Sequence, residues 1–340
     1  MTAALEPLDP IVDPAVTRPG AHLHAAYRTE ARELVVESVT AVAEAVRHVV
    51  LAAPGGVPLA SFEPGSHVVV DTPLGRNAYS LTGDGCAPSR YTISVLRHGA
   101  GGGSDWIHDV LGAGDRLVVD GPRSMFAPRH HQRHALLVAG GIGITPILSH
   151  ARSLARWGGS GEILYAYRAG RAAHLDEVRA LAELGFTLRE VSGAEQVRAA
   201  LADRFADQPL GTHAYACGPI TMLDAFLEIG RDAGWPDARL HVERFETADL
   251  DPGVDFEITP VTTGRPLTVR SGVSVLQTLL DDGFDVPSMC RQGVCGECRI
   301  PVRRAGSLEH RDVVLTDQEK ATGGSMLSCV SRGTDVEVDL

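Results

Sequence analysis

The chain has no apolar run approaching the ~18 residues that a membrane-spanning helix needs. Its first residues, Met1-Thr2-Ala3-Ala4-Leu5-Glu6-Pro7, offer neither the basic n-region nor the apolar h-region of an export signal. No membrane association is therefore expected, and a cytoplasmic location is. Positive charge is in deficit: 31 Lys and Arg stand against 43 Asp and Glu, for a net charge of −12. That balance speaks against a nucleic-acid partner, which wants a basic surface, and is compatible with a protein partner that has a basic docking face. Lysine is almost missing, Lys320 being the only one, which reads as a genomic bias towards arginine rather than as chemistry. Cysteine is too sparse for a disulfide scaffold, at 6 in 340 residues. What remains is the composition of a globular protein, 44 % hydrophobic and 22 % charged, in a chain long enough for two or three cores.

Four of the six cysteines carry the strongest signal. Cys290, Cys295 and Cys298 read C-x4-C-x2-C, and Cys329 follows alone. This is the ligand spacing of a plant-type [2Fe–2S] cluster. Structural zinc is the competing reading, but it usually takes C-x2-C pairs on both sides. A cluster held on one loop needs backbone amides aimed at its sulfurs, and Gly293 and Gly296 stand where the necessary tight turns fall. Cys86 reads as an ordinary small residue.

The rest of the chain divides by its periodicity. Residues 1–32 are rich in Pro and Ala and read as an N-terminal extension. Over 33–130, short β-branched runs recur at Leu34–Val39, Val46–Leu51, His67–Asp71, Tyr91–Val95 and Arg116–Asp120. Turn residues separate them, as in a barrel or sandwich. Over 131–246 apolar strands alternate with helical stretches, which implies βαβ units and a parallel sheet. A polar linker is expected at 247–253, and a cluster domain at 254–340.

Two strand ends in the α/β segment are glycine-rich. Gly140-Gly141-Ile142-Gly143-Ile144-Thr145-Pro146 follows an apolar strand and opens a helix, and Cys217-Gly218-Pro219 ends another strand. Such turns let a backbone approach a pyrophosphate at a helix N-terminus. The plainer reading is glycine for packing. In a parallel sheet both turns fall at the carboxyl edge, where ligands bind.

Taken in order, the barrel, the GGIGITP turn, the CGP turn and the C-terminal cysteines resemble the phthalate dioxygenase reductase and vanillate demethylase reductase family, over about residues 33–340. Glu309-His310-Arg311-Asp312-Val313-Val314-Leu315 and Cys329-Val330-Ser331-Arg332 add to that resemblance. It implies a multidomain fold: a β-barrel flavin domain, an α/β parallel-sheet nucleotide domain and an α+β, β-grasp-like ferredoxin domain. It also implies FMN, NADH and a [2Fe–2S] cluster as cofactors. Against the family's R-x-Y-S flavin motif, Tyr79 and Ser80 match. Asn77 stands in the arginine's place, and Arg76 is one position early. Either Arg76 reaches the flavin phosphate from there or backbone amides carry the contact. Gly102-Gly103-Ser104 matches the family's phosphate loop. Thr145 and Cys217 resemble residues that line the nicotinamide, with Gly140, Gly141, Gly143, Gly218 and Pro219 around the dinucleotide. Phe245 resembles the residue that closes the flavin face, with a core phenylalanine as the competing reading.

The activity implied is hydride transfer from NADH to FMN, then single electrons through the cluster to a terminal oxygenase. That partner is a Rieske non-haem iron oxygenase or demethylase, or a haem-thiolate monooxygenase. The chemistry belongs to the cofactors, so no catalytic residue is assigned beyond them. Arg168 and Arg171, after the second α/β strand, leave NADPH open as the donor, while the resemblance implies NADH. A monomer is expected. Two other readings stand beside this one: a redox-sensing flavin and iron–sulfur regulatory module, and a free-flavin reductase.

Overall fold

The computed structural model describes residues 31–99, 101–124, 126–245, 250–288 and 291–340. Nearly all of the expected N-terminal extension, part of the expected linker and Cys290 lie outside the described residues.

The first sheet is built from β1 (Arg32–Ala43), β2 (Val46–Ala52), β3 (Ser66–Thr72), β4 (Gly75–Ser80), β5 (Arg90–Leu96) and β6 (Arg116–Ser124). Their order is β4-β3-β6-β1-β2-β5, and every pairing is antiparallel. A bridge between Leu81 and Ile93 joins the end of β4 to β5, so the two edges meet and the sheet curls into a barrel. Alternation sets the two faces. Tyr91, Ile93 and Val95 point into the barrel core with Leu34, Val36, Val49 and Leu51. Thr92, Ser94 and Leu96 therefore face outward, towards the second domain. A short helix, α1 (Gly103–Asp109), buries Ile107 against the same core.

The second sheet comprises β7 (His134–Gly140), β8 (Gly161–Ala166), β9 (Thr187–Val191), β10 (Thr212–Cys217) and β11 (Leu240–Glu243). It is wholly parallel, in the order β11-β10-β7-β8-β9. Residues 135–139 of β7 are all fully buried, as expected of a central strand covered on both faces. Leu137 and Ala139 pack beneath α2 (Ile144–Arg156) and α3 (Leu175–Ala182). Leu136 and Val138 pack beneath α4 (Ala194–Ala206) and α5 (Ile220–Asp232). The strand order reverses between β7 and β10, and the crevice beyond their carboxyl ends is where such a sheet binds ligands.

The third unit contains β12 (Phe256–Pro260), β13 (Leu267–Val269), α6 (Val275–Asp281), β14 (Arg299–Arg304), β15 (Ser307–Glu309), α7 (Asp317–Thr322), β16 (Ser325–Leu327), β17 (Arg332–Thr334) and β18 (Val336–Val338). Its five-stranded sheet runs β13-β12-β18-β14-β16, with β12 and β18 parallel and every other pair antiparallel. Val275, Leu276 and Leu279 of α6 fill its core. Arg332 holds the entry to the unit. Its guanidinium donates to the carbonyls of Val254, Arg270 and Val273 and lies over the ring of Phe256.

Candidate active site

One cavity of about 880 Å³ is lined by all three units. The barrel contributes His67, Arg76, Asn77, Tyr79, Ser80, Ser94 and Ser104. The parallel sheet contributes Thr145 at the start of α2, and Glu243 and Phe245 at and beyond the end of β11. The third unit contributes Arg291, Gln292, Val294 and Cys295. An ion pair between Arg123 of β6 and Glu297 fastens the cysteine loop against the barrel at this point.

The walls of the cavity hold three buried polar atoms without a hydrogen-bond partner in the structure: Nε2 of His67, the hydroxyl of Tyr79 and Oε2 of Glu243. Buried polar groups are nearly always satisfied, so their convergence on one cavity marks a place built for a polar ligand. Their protonation follows from burial. His67 is pushed down to about 4 by burial and then by Arg123, so it is neutral. Glu243 is pushed up to about 8 by burial, so it carries its proton at neutral pH. The Tyr79 phenol is raised, first by burial and then by Asp105.

On the barrel side, Asn77 and Tyr79 share one face of β4 and point towards α1. A Cβ on Gly103 would lie 2.8 Å from Thr72 Oγ1 and 3.0 Å from Asn77 Oδ1, so the Asn77 amide abuts the start of that helix. Gly102 is the N-cap, and the amides of Asp105 and Trp106 donate to its carbonyl. Those of Gly103 and Ser104 are first-turn amides with no acceptor inside the helix. The Asp105 carboxylate accepts from the amides of Gly99 and Gly101, which lower its pKa and shape the loop. Arg76 is engaged elsewhere: it pairs with Asp71 at 2.6 Å and Asp120 at 3.4 Å on neighbouring strands. Asn77, at the expected arginine position, instead abuts the start of α1.

At the sheet edge, a Cβ on Gly143 would lie 2.2 Å from the carbonyl oxygen of Cys217, and one on Gly140 would lie 2.6 Å from Pro219 Cδ. One on Gly218 would lie 2.9 Å from Gly140 Cα. The two glycine turns therefore interlock, and much of their glycine content serves packing. Gly141 differs: nothing lies within 4 Å of its Cβ direction. Cys217 is fully buried beneath this junction, level with Glu243 in register, and burial followed by Glu243 raises its thiol pKa. Thr145 and Phe245 reach the cavity; Cys217 is not among its lining residues. Arg171 leans towards Glu44 of the barrel at 3.4 Å.

In the third unit Gly293 and Gly296 adopt φ of 73° and 83°, as the loop turns require. Cys298 and Cys329 are buried in the domain core, while Cys295 is more exposed and faces the cavity. The main chain binds these positions together: both the amide and the hydroxyl of Ser328 donate to the carbonyl of Cys298, at 3.0 and 2.9 Å. Cys298 and Cys329 thus share one core and Cys295 lies on the loop that precedes Cys298, while Cys290 lies outside the described residues.

Sequence reasoning did not single out His67, Ser94 or Glu243. The one available signal was a histidine heading the valine run of β3.

Comparison with known proteins agrees with this layout. Residues 121–240 match the model of the dimethylamine monooxygenase subunit DmmA-like N-terminal domain, and 258–334 match the 2Fe-2S iron–sulfur cluster binding domain. The chain is 40 % identical to the heme-dependent oxidative N-demethylase beta subunit of Ectopseudomonas mendocina, over 81 % of this chain and 87 % of that one. It is 35 % identical to a vanillate O-demethylase oxidoreductase of a Pseudomonas species, over 88 % and 96 %. The phthalate dioxygenase reductase structure superposes with a TM-score of 0.73 at 31 % identity, covering 91 % of this chain and 98 % of that one. A type IV self-sufficient cytochrome P450 monooxygenase also gives 0.73, at 37 % identity, and this chain spans 41 % of its length. No helix among the described residues is long and apolar enough to cross a membrane.

Proposed function

The chain belongs to the phthalate dioxygenase reductase and vanillate O-demethylase reductase family, the reductase components of oxygenase systems, and we propose that it uses FMN, NADH and a [2Fe–2S] cluster to feed single electrons to a terminal oxygenase. The observation that carries this reading is the shared cavity, where barrel, nucleotide-sheet edge and Cys295 meet. Bound there, the flavin supplies the exchange between a two-electron hydride and single electrons, and the cluster carries those electrons one at a time.

The chain's own residues hold and orient. Tyr79 offers a ring face and an unsatisfied hydroxyl to the flavin. The amides of Gly103 and Ser104 suit a single terminal phosphate, which favours FMN. Thr145 and Phe245 border the space between flavin and nicotinamide, and the Gly141 turn leaves room for the dinucleotide backbone. Cys290, Cys295, Cys298 and Cys329 ligate the cluster. Cys295 lines the cavity, so a cluster held by these cysteines would stand beside a flavin bound there. The partner is a terminal oxygenase, Rieske-type or haem-dependent, met at the cysteine loop.

The test is anaerobic titration of the purified protein with NADH. The flavin band should bleach, the cluster should be reduced, and acid should release FMN. FAD as the sole flavin, or an unreduced cluster, would count against the reading. Tyr79→Ala should weaken FMN retention about tenfold, or ~1.4 kcal/mol, by removing the ring contact. Flavin fluorescence after gel filtration measures it, and full retention would remove Tyr79 from the site.

A further inference from the structure

In the electron-transfer reading one loop has two jobs. It carries ligands of the cluster, and through Cys295 it forms part of the wall of the flavin cavity. An electron crosses from flavin to cluster only when that loop is held near the cavity, so the contact that holds it governs the step.

A row of alternating charges runs to this loop over the outer face of the barrel. Arg76 lines the cavity and pairs with Asp71 at 2.6 Å and with Asp120 at 3.4 Å. Asp120 pairs in turn with Arg123 at 2.6 Å. The other end of the Arg123 guanidinium pairs with Glu297, which stands between Cys295 and Cys298. Three carboxylates and two guanidiniums thus connect a wall of the cavity with the cysteine loop. Arg76, one position early for the expected flavin motif, is taken up in this row.

The pairing of β3 with β6 brings the row together. His67, Val69 and Asp71 alternate with the core residues Val68 and Val70, so they lie on the outer face of β3. Val69 stands opposite Asp120, and His67 opposite Arg123. Between these two pairs β3 advances by two residues and β6 by three, which makes a bulge in β6. Residues three apart in a regular strand lie on opposite faces. The bulge puts Asp120 and Arg123 on the same one, and so aims the Arg123 guanidinium at the third unit. The Asp120 and Arg123 side chains are 13 % and 24 % exposed, against 48 % for Arg76 and 37 % for Glu297. The middle of the row is therefore the part that solvent ions screen least. The junction of barrel and parallel sheet is of another kind: there Ser149 and Arg152 donate to the backbone carbonyls of Gly83 and Thr82.

We propose that Arg123 and Glu297 are positioning residues for electron transfer from flavin to cluster, their ion pair holding the cysteine loop against the flavin cavity. The inference rests on the electron-transfer reading above. In the step one electron leaves the flavin and one arrives at the cluster. Neither residue takes up an electron or a proton, and no bond forms or breaks. Arg123 acts on the loop through Glu297, while Asp120, itself held by Arg76, keeps the guanidinium turned towards it. Hydride transfer belongs to the sheet-edge side of the cavity, where Thr145 and Phe245 lie, and does not depend on the pair.

The experiment resolves the two steps in holoprotein mixed with NADH by anaerobic stopped flow. Arg123→Gln and Glu297→Gln should each slow cluster reduction by about tenfold, with flavin reduction by NADH and ferricyanide turnover unchanged. The double variant should be no slower than either single one, because each removes the same contact. Arg123→Lys keeps the charge but not the fork that spans two carboxylates, and should recover part of the rate. Added salt should slow cluster reduction in the native protein and leave the glutamine variants unaffected. A spectroscopic readout needs no turnover. With flavin and cluster each reduced by one electron, the magnetic coupling between their unpaired electrons should weaken in both single variants. Glu297→Gln preserves side-chain shape at a partly exposed position, so it reports even if Arg123→Gln fails to fold. Native rates of cluster reduction in the glutamine variants, losses that add in the double variant, or an unchanged magnetic coupling would each overturn the proposal. So would an equal fall in flavin reduction, which would place the role of Arg123 at the flavin itself. If NADH does not reduce the cluster of the native protein, the electron-transfer reading fails instead.

Discussion

Cys295→Ser protein should still be reduced by NADH and should still pass electrons to ferricyanide, yet lose its reduction of cytochrome c and of the oxygenase. Cys295 sits where the cysteine loop meets the flavin cavity. Replacing a thiolate with a hydroxyl removes a ligand outright, so the loss should exceed the about 10–100-fold that removing a supporting residue around a metal site costs. Fold and flavin should survive. The barrel core around Val49, Leu51 and Ile93 and the sheet cores around Leu137 and Phe226 share no residue with the core that holds Cys298 and Cys329. Ferricyanide is small enough to reach the flavin directly, whereas a protein acceptor depends on the cluster. Iron content, the visible spectrum and the two acceptor assays measure each part. If the cluster-free variant drives the oxygenase at near-native rate, the flavin is the true donor and the cluster is structural or regulatory. If flavin and fold are lost with the iron, the units are not independent.

The elements legible in the sequence were those whose pattern is local. β1, β2, β3, β5 and β6 announce themselves as β-branched runs, and β7 as an unbroken apolar strand. β4 does not: Gly75-Arg76-Asn77-Ala78-Tyr79-Ser80 has little strand propensity, and its pairing with β3 and the Leu81 bridge make it a strand. β11 is only four residues long and owes its form to β10. The first three cysteines and the glycine turns were readable for the same reason, since each is a contiguous motif. His67, Glu243 and the hydrogen-bonded Ser94, His174 and Glu177 side chains were not. Their meaning lies in burial and in neighbours from another domain, and Ser94 and His174 are 80 residues apart. A search for acid–base residues by motif therefore finds none, although the folded chain brings such groups together at the cavity.

Gly143→Ala should damage the nucleotide domain, whereas Gly141→Ala should spare its fold. The added methyl at position 143 would stand 2.2 Å from the oxygen of Cys217, 2.4 Å from its carbonyl carbon and 2.8 Å from the nitrogen of Gly218. These are backbone atoms at the end of strand β10, beside the central strand β7, so no side-chain rotation relieves the clash. Overpacking of a well-filled interior costs about 1–3 kcal/mol, and a contact this short belongs at or above the top of that range. A loss of about 3 kcal/mol should lower the melting temperature of the α/β domain by about 10 °C. Nucleotide binding should fall with it, because the turn and β10 could no longer interlock. At Gly141 the methyl would meet nothing within 4 Å. Its cost is confined to the backbone, where φ of 54° penalises a side chain by about 1–2 kcal/mol. That methyl would project into the open crevice, so the defect should appear as a raised KM for NADH. Thermal unfolding and steady-state kinetics on the two variants separate the roles of neighbouring glycines in one turn. Equal stability of the two would mean that Gly143 does not hold the turn against β10, and the interlocked arrangement of the sheet edge would have to be abandoned.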